Sequence, residues 1–287
     1  MPFEFKHVAS YTVLQSEAPE STIAIPGHPP KWNPFTEPKK LKSDGLQMEP
    51  YLKNDLEPLF RAIDIEKPLL NMDHMSLVTD ACVLRKLFHY ASSDKQHSLH
   101  ENQLWSLDTE VSGDWTVVFR HFRGRPWRNP NRRESLGYGR NFERADTTNA
   151  IKENAEHQRI IRYRIAFLRV IVRYEVDGFI DNEPSPNEEP TASLELGKAE
   201  TTSSGLRILE HGQKVSPRSI VEMKTKLVSP ILFEDVACQL WFSRVSNLVL
   251  ATHDYGPFTP PEVKDVTESL KYWQEKNQKI WIDWPAV

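Results

Sequence analysis

Acidic side chains recur at alternate positions in two short segments of the chain. The first segment reads Glu175-Val-Asp177 and the second reads Glu222-Met-Lys224. Successive side chains of an extended strand face opposite sides, so the two charged residues of each segment share one face. If the two strands form a hairpin, three carboxylates and one ammonium group converge on one patch, and the apolar residue of each segment points into the core.

Three carboxylates that converge in this way need a cation between them. Without one they would repel each other and raise one another's pKa values, and oxygen ligands are those that Mg²⁺ and Mn²⁺ prefer. We therefore predict a divalent metal site. Lys224 would position the attacking water or stabilise negative charge that develops on a phosphate. The alternative is two exposed strand faces joined by cross-strand ion pairs, with no metal.

The spacing of apolar residues predicts the helices and strands that position these side chains. A helix is expected wherever apolar residues recur every three or four positions, and a strand wherever they alternate or are mainly β-branched and aromatic. The helices are expected at 75–90, 141–164 and 233–244, and the strands at 165–176, 219–226 and 247–252, with a hairpin that turns at Ser112-Gly113. This order predicts an α+β fold with a mixed or antiparallel central sheet and flanking helices.

Two segments of biased composition are expected: an N-terminal arm that precedes the main domain, which we assign to residues 61–287, and an insertion within that domain. Residues 1–60 are rich in proline, which lacks an N–H donor, so we predict an N-terminal arm without helix or central strand. Residues 183–218 combine prolines, acidic residues and a Thr/Ser stretch. Such a composition buries little apolar surface, and we predict a disordered insertion there.

The charge balance argues against a protein that coats nucleic acid without specificity. The formal net charge of the 287 residues is -4, whereas such binding needs a broad excess of Lys and Arg. One basic stretch, residues 120–133, mixes arginines such as Arg120 and Arg123 with two aromatic residues. It is interpreted either as a contact for an RNA backbone or as a solvated loop.

The two cysteines and the hydropathy pattern bear on the compartment. Cys82 and Cys238 lie far apart and outside any CxxC or Cys/His pattern, which argues against a disulfide framework or a zinc knuckle. No apolar run of membrane-spanning length and no basic start followed by an apolar run is visible. We expect a reducing, intracellular compartment and no membrane partner.

The order of several motifs carries a more specific resemblance. An acid at one strand end and Glu-x-Lys on the next strand are similar to the core of PD-(D/E)xK nucleases. The full ordered set resembles the DXO/Rai family of decapping nucleases over roughly residues 75 to 270. That set reads Gly139-Arg-Asn-Phe-Glu143, Glu175-Val-Asp177-Gly, Val221-Glu-Met-Lys-Thr225 and Cys238-Gln239.

The resemblance implies a role for each motif residue. Direct metal ligands would be the carboxylates of Glu143, Asp177 and Glu222 and the backbone carbonyl of Met223. Glu175 would act through a water, and Lys224 and Gln239 would hold the nucleophilic water. Each of two residues also has an alternative interpretation without a role in the site. Glu143 is then an ordinary acid near a helix N-terminus, and Gln239 is an amide on a helix surface.

The family's first motif is altered in this sequence. The family has roughly Val-Thr-Trp-Arg-Gly, and the chain reads Val78-Thr-Asp-Ala-Cys82, so the motif arginine aligns with Ala81. Arg85, Arg120 or Arg123 could contact the substrate phosphate in its place.

The resemblance also implies an activity and partners. We expect a Mg²⁺- or Mn²⁺-dependent hydrolase of RNA with a modified or incompletely capped 5′ end, by decapping, pyrophosphate release, deNADding or 5′ to 3′ exonuclease action. A 5′ to 3′ exoribonuclease would be a partner, and the nucleus is favoured over the cytoplasm. The alternatives are a PD-(D/E)xK-type DNA nuclease and a pseudoenzyme that binds RNA ends or a partner protein, the latter suggested by Ala81.

Overall fold

A computed structural model describes the chain at residues 4–15, 21–45, 56–92, 107–112, 116–121, 137–152, 154–181, 197–227, 233–278 and 280. Within these residues the strands are β1 (Lys6–Leu14), β2 (Thr22–Gly27), β3 (Lys31–Trp32), β4 (Lys39–Lys40), β5 (Leu77–Asp80), β6 (Leu107–Ser112), β7 (Thr116–His121), β8 (Thr147–Thr148), β9 (Asn154–Ile165), β10 (Leu168–Glu175), β11 (Gly178–Phe179), β12 (Ala199–Thr201), β13 (Arg207–Gly212), β14 (Ile220–Leu227), β15 (Asn247–His253), β16 (Pro257–Phe258) and β17 (Glu262–Asp265). The α-helices are α1 (Glu57–Glu66), α2 (Ala81–Ala91), α3 (Gly139–Asp146), α4 (Glu234–Ser243) and α5 (Thr267–Lys276).

The strands form two mixed sheets. The larger has nine described strands in the order β12-β13-β2-β1-β9-β10-β5-β7-β6. The smaller has the order β4-β16-β15-β14-β11-β3-β8, with β17 paired to β15. Strand β10 is antiparallel to β9 and parallel to β5, and β14 is parallel to β15. The predicted α+β class with a mixed sheet and flanking helices is confirmed.

The main core joins the two sheets through helices α2, α4 and α5. Leu84 and Phe88, one helical turn apart on α2, are both buried there. The ring of Phe88 lies 6.3 Å from that of Phe242 on α4 and 5.2 Å from that of Trp273 on α5. Strand β10 contributes its β-branched and aromatic residues to the same core, so its far end is held rigidly beside the second sheet.

Two smaller cores fix the remaining helices. Helix α1 packs Leu59 and Ile63 against the outer face of the larger sheet. Helix α3 packs Phe142 against the smaller sheet, where its ring stacks on Phe258 at 5.4 Å between centroids. Each of the described helices is too short or too polar to span a membrane.

Several of the predicted strands and helices lie close to the observed ones. The strands of the predicted hairpin correspond to the antiparallel pair of β6 and β7, and its turn at residues 113–115 lies outside the described residues. The predicted strands 219–226 and 247–252 correspond to β14 and β15, and the predicted helix 233–244 corresponds to α4. The predicted helix 75–90 is correct only from Ala81, because Leu77–Asp80 is strand β5.

Three predictions about the rest of the chain are wrong. The helix expected at 141–164 ends at Asp146, and most of the remainder forms β9. The N-terminal arm contains β1, which lies between β2 and β9 inside the larger sheet. The insertion at 183–218 contains β12 and β13, because Ile208 and Leu209 find burial beside β2; its residues 182–196 lie outside the described residues.

A buried ion pair ties three strands of the larger sheet together. Arg173 on β10 is the register partner of Asp80 on β5. Its Nε donates to Asp80 Oδ1 at 2.6 Å and its Nη2 to Asp80 Oδ2 at 2.9 Å. The remaining Nη1 donates to the hydroxyl of Tyr11 on β1 at 3.1 Å. Arg173 is only 8% exposed, and its guanidinium thus pairs with the Asp80 carboxylate through two hydrogen bonds.

We predict that Asp80→Ala lowers the free energy of unfolding by about 3–5 kcal/mol, because it removes the carboxylate that pairs with the buried Arg173 guanidinium through two hydrogen bonds. Urea denaturation followed by circular dichroism measures this change. Asp64→Ala on the exposed side of α1 is the control and should change stability by less than about 0.5 kcal/mol. A loss no larger than that of the control would contradict the account of the ion pair.

Candidate active site

The two acidic segments lie side by side where the two sheets meet. Glu175 ends β10, Asp177 follows two residues later, and Glu222 and Lys224 lie on β14. The junction is strand β11, whose Gly178 pairs antiparallel with Val221 of β14. The predicted hairpin is therefore correct only over the two residues of β11. Elsewhere β14 runs parallel to β15, and the intervening β12 and β13 belong to the larger sheet.

The alternation of side chains is as predicted. Val176 and Met223, the apolar residues of the two segments, are 4% and 2% exposed. Gly178 permits the close approach of the strands, since a Cβ at this position would lie 2.9 Å from Met223 Cε and 3.2 Å from the carbonyl oxygen of Pro30. The glycine that follows Asp177 is therefore required by packing.

Glu222 is the centre of a chain of hydrogen bonds. The residue is only 3% exposed. Its Oε1 accepts one hydrogen bond from Lys224 Nζ at 2.5 Å and another from Gln239 Nε2 at 2.5 Å. Gln239 lies on α4, and its Oε1 in turn accepts from Arg85 Nη1 at 2.8 Å. The chain of hydrogen bonds thus joins α2, α4 and β14, and it runs from Arg85 through Gln239 and Glu222 to Lys224. Because Arg85 can only donate, it orients the amide so that the NH₂ group faces Glu222.

Asp177 is fixed by the backbone of the neighbouring strand. Its Oδ2 accepts the N–H of Met223 at 2.7 Å. Met223 thus contributes its N–H to this contact and its side chain to the core, while the role of its carbonyl as a metal ligand stays a prediction.

Glu143 reaches the site from α3, which is held by the N-terminal part of the chain. Asp44 Oδ1 accepts the N–H of Asn141 at 2.9 Å, and its Oδ2 accepts the N–H of Arg140 at 3.3 Å. These N–H groups belong to the first turn of α3 and have no partner within the helix, so Asp44 caps it from a distant segment. A Cβ built on Gly139 would lie 3.9 Å from both Glu143 Oε1 and Thr225 Oγ1, so α3 begins beside β14.

The carboxylates of the site raise one another's pKa values. Burial raises the pKa of Glu143 to about 7, with Glu222 and Asp44 adding to the rise and Lys224 opposing it. Burial likewise raises the pKa of Glu175 to about 8, and the nearby carboxylates, Glu156 first, add to it. The Glu175 side chain retains an exposed surface, so solvent screens part of this effect.

The pKa values of Asp177 and Lys224 move in the same direction for opposite reasons. Burial and then Glu222 and Glu143 raise the pKa of Asp177 well above its ordinary value. Burial alone would lower the pKa of Lys224, but Glu222 and Asp177 outweigh it and raise that pKa. Lys224 therefore stays charged at neutral pH and is the main cation that opposes the carboxylates.

Two contributors to this electrostatic environment are absent from the sequence-based prediction. Asp44 caps α3, and Glu156 on β9 acts on Glu175. The Asp44 contact with Asn141 spans 97 residues, and no local pattern signals a contact of that range. Both belong to segments for which the predicted structure is wrong.

The three arginines expected to contact the substrate lie in three different parts of the molecule. Arg85 lies in the hydrogen-bond chain described above. Arg120 is on β7, in backbone register with Asp108, two strands away from β10. Arg123 and the rest of the basic stretch up to residue 133 lie outside the described residues. Substrate contact by all three stays a prediction.

The donor set suits a divalent cation by its chemistry. Glu143, Glu175, Asp177 and Glu222 bring four carboxyl groups together beside Lys224, and their raised pKa values show that these groups resist ionisation while no further cation neutralises them. Hard oxygen ligands in excess of their countercharge are what Mg²⁺ and Mn²⁺ bind. Across the described ranges no three His, Cys, Asp or Glu side chains are arranged closely enough to hold an ion as they stand. Glu222 faces Lys224, and Asp177 faces a backbone N–H.

Solved structures with the same architecture belong to the Rai1 and Dxo1 proteins. S. pombe Rai1 in complex with 3′-FADP has 13% identity and a TM-score of 0.56, with 94% of this chain and 77% of that chain covered. Candida albicans Rai1 in complex with pU5-Mn²⁺ has 12% identity and a TM-score of 0.59, with 96% and 75% covered. K. lactis Dxo1 in complex with manganese has 11% identity and a TM-score of 0.54, with 95% and 71% covered.

The fold is therefore that of the DXO/Rai nucleases, and the resemblance noted in the sequence is confirmed at this level. The sequence itself matches the family described as "Domain of unknown function (DUF8563)" over residues 3–281. The chain belongs to this family, whose match includes the N-terminal segment that caps α3. A comparison with curated protein sequences finds no match.

The raised pKa values predict how stability depends on pH when no divalent cation is present. A carboxyl group with a raised folded pKa is protonated in the folded state at a pH where the unfolded chain has lost the proton, so stability falls as pH rises. The fall begins above the ordinary glutamate pKa of 4.5 and is complete near the folded values, about 7 for Glu143 and about 8 for Glu175. His7 and His157, whose pKa values are lowered by burial, act in the opposite direction, but their effect ends just above their ordinary pKa of 6.5, so the carboxyl groups decide the slope at higher pH.

We expect the melting temperature in EDTA to decrease from pH 6.5 to pH 8.5, by about 2–4 °C for each kcal/mol lost. Glu175→Gln, which mimics the protonated form, should reduce the decrease, and Glu268→Gln on exposed α5 should not. Differential scanning calorimetry measures both. A melting temperature that rises over this pH range, or an unchanged slope in Glu175→Gln, would contradict the electrostatic account.

Proposed function

We propose that the protein is a divalent-metal-dependent hydrolase of phosphodiester or pyrophosphate bonds at RNA 5′ ends. The observation that carries the proposal is the convergence of Glu143, Glu175, Asp177 and Glu222 beside one half-buried lysine, Lys224. A structural role alone does not account for so many carboxylates with raised pKa values in one place.

The ions would be Mg²⁺ or Mn²⁺, held by Glu143, Asp177 and Glu222, with Glu175 acting through water and the Met223 carbonyl as a further oxygen ligand. Bound there, such an ion supplies Lewis-acid stabilisation of charge on the phosphate oxygens and lowers the pKa of a bound water. For Glu222 to become a ligand, its Oε1 must exchange at least part of the contact with Lys224 and Gln239.

The chain's own residues supply orientation and positive charge. Lys224 stays protonated, so it serves as a fixed positive charge beside the reacting phosphate and does not accept a proton. Gln239 has two N–H donors, of which one faces Glu222, and the other is able to orient a water or a phosphate oxygen. Arg85 fixes which way this amide points.

The substrate class rests on the resemblance and on what the similar structures hold. The Candida albicans Rai1 structure contains pU5 with Mn²⁺, and the S. pombe structure contains 3′-FADP. We extend this to an RNA with a modified or incompletely capped 5′ end as the substrate, and to a 5′ to 3′ exoribonuclease as a partner. Release of a cap nucleotide, of pyrophosphate or of NAD requires the same attack of water on phosphorus.

A second candidate function is binding of RNA ends without turnover. Two observations favour it. The position of the family's first-motif arginine is held by Ala81, and the neighbouring Asp80 is bound to Arg173. In addition, the described carboxylates do not yet form a ligand set. Under this function metal and RNA would bind and no product would form.

We predict that Glu222→Gln and Asp177→Asn each lower hydrolysis by at least about 10²-fold, because each removes a charged ligand of the cation. The assay is Mn²⁺-dependent cleavage of a panel of RNAs that carry a triphosphate, an unmethylated cap, an NAD cap or a monophosphate. Mn²⁺ binding, measured separately by calorimetry, should weaken in the same two variants.

The control for both measurements is Glu268→Gln, an exposed acid that pairs with Lys271 on α5. Wild-type activity in Glu222→Gln and Asp177→Asn would overturn the site. Metal binding by the unmodified chain with no turnover on any RNA would favour the second candidate function.

We also predict that Arg85→Ala lowers kcat about tenfold or more and leaves Mn²⁺ affinity nearly unchanged. Without Arg85 the amide of Gln239 loses the partner that fixes its orientation, whereas the carboxylates are untouched. Arg85→Lys should restore part of the activity, because an ammonium still donates to Gln239 Oε1. A rise in KM alone would instead indicate that Arg85 only binds substrate.

A further inference from the structure

A cluster of unpaired cations lies on the larger sheet, at the end of the β9–β10 hairpin that is remote from the carboxylates. Arg162 is the register partner of Lys6 on β1, and Arg164 is the register partner of Arg169 on β10. Antiparallel partners project to the same face, so these side chains stand together, and Lys67 follows the end of α1 beside them. We call these five residues the basic rim.

The basic rim has no countercharge of its own. Among the described residues, none of the five cations forms an ion pair with a carboxylate. Glu66 is close by, but its Oε2 lies 2.6 Å from Lys214 Nζ and its Oε1 accepts the N–H of Ser10. A protein with a net charge of -4 thus concentrates free positive charge on one small surface.

A cavity of about 600 Å³ opens beside the basic rim, with Lys67, Arg162 and Arg169 among its lining residues. Most of its wall is aliphatic and comes from the loop after α1, at Pro68, Leu69, Leu70 and Met75. Leu69 is 97% exposed. Together with the neighbouring apolar residues of the wall it forms an exposed apolar patch bordered by charged residues, which is typical of a surface that contacts another molecule.

The cavity is distinct from the candidate active site. Arg169 and Glu175 are six residues apart on β10, which corresponds to about 20 Å along a strand. None of the carboxylates of the candidate active site lines the cavity. A molecule bound at the basic rim and a substrate at the carboxylates can therefore be present together.

The chemistry of the surface selects its occupant. An aliphatic cavity accepts a bulky apolar side chain, and a ring of unpaired cations attracts carboxylates around it. Single-stranded RNA would instead need aromatic side chains on which bases stack, and the cavity wall has none apart from His74. We propose that the basic rim and its cavity dock an acidic protein segment that inserts one bulky apolar residue.

The test uses fluorescent synthetic peptides and binding measured by anisotropy with the full-length chain. One peptide has a central leucine or tryptophan flanked by Glu and Asp, a second replaces the central residue with Ser, and a third replaces the acids with Lys. We expect only the first to bind well. Its affinity should fall about tenfold or more in Arg162→Glu/Arg169→Glu and in Leu69→Asp. The second variant changes an almost fully exposed residue, so folding is preserved.

The matched control is Lys198→Glu/Arg207→Glu, which makes the same change of net charge on two exposed residues, one just before β12 and one at the start of β13, and should bind the first peptide normally. A fluorescent oligouridylate is measured in parallel. If the first peptide binds no better than the Ser peptide, or not at all, the proposal is overturned. It is also overturned if Arg162→Glu/Arg169→Glu weakens only the oligouridylate, which would make the basic rim a nucleic-acid surface.

Discussion

The burial of the Glu222 carboxylate is the constraint on which the rest of the site depends. An ionised carboxylate that is withdrawn from water costs several kcal/mol unless it is paired and hydrogen-bonded. Here Lys224 supplies the countercharge and Gln239 a second donor, both to the same oxygen. Neither donor is free to move independently, because Lys224 lies on the same strand and Gln239 is held by Arg85.

This constraint explains why helices from distant parts of the chain must pack where they do. Gln239 reaches Glu222 only if α4 lies across the end of β14, and Arg85 reaches Gln239 only if α2 lies against α4. The aromatic contacts of Phe88 with Phe242 and Trp273 fix that arrangement. The main hydrophobic core and the polar chain that ends at Lys224 are therefore two consequences of the same packing.

The residues of the site were predictable from sequence to the extent that they follow local periodicity. Alternation on a strand placed the charged residues of both acidic segments correctly relative to Val176 and Met223, which are buried. The strand β9 was missed because several of its inward positions are polar, with His157 and Arg159 almost fully buried, so the segment has no simple alternation. The prediction for the arm is wrong because its described prolines are compatible with regular structure: Pro29, Pro30, Pro34 and Pro38 flank short strands, Pro26 lies near the end of β2, and Pro58 lies in the first turn of α1. Contacts across many residues, such as that of Asp44 with α3, have no local signature at all.

The altered first motif illustrates how a helix can supply a charge from the next turn. Ala81 begins α2, and Arg85 lies four residues later on the same face. Helical side chains lean towards the N-terminus, so a long side chain at Arg85 covers the surface above the preceding turn, where Ala81 leaves space. Its guanidinium is directed to Gln239. Meanwhile Asp80 is occupied by Arg173 within the larger sheet and does not compete for Arg85. Arg85 therefore places a positive charge one helical turn after Ala81, at the start of the hydrogen-bond chain that leads through Gln239 to Glu222.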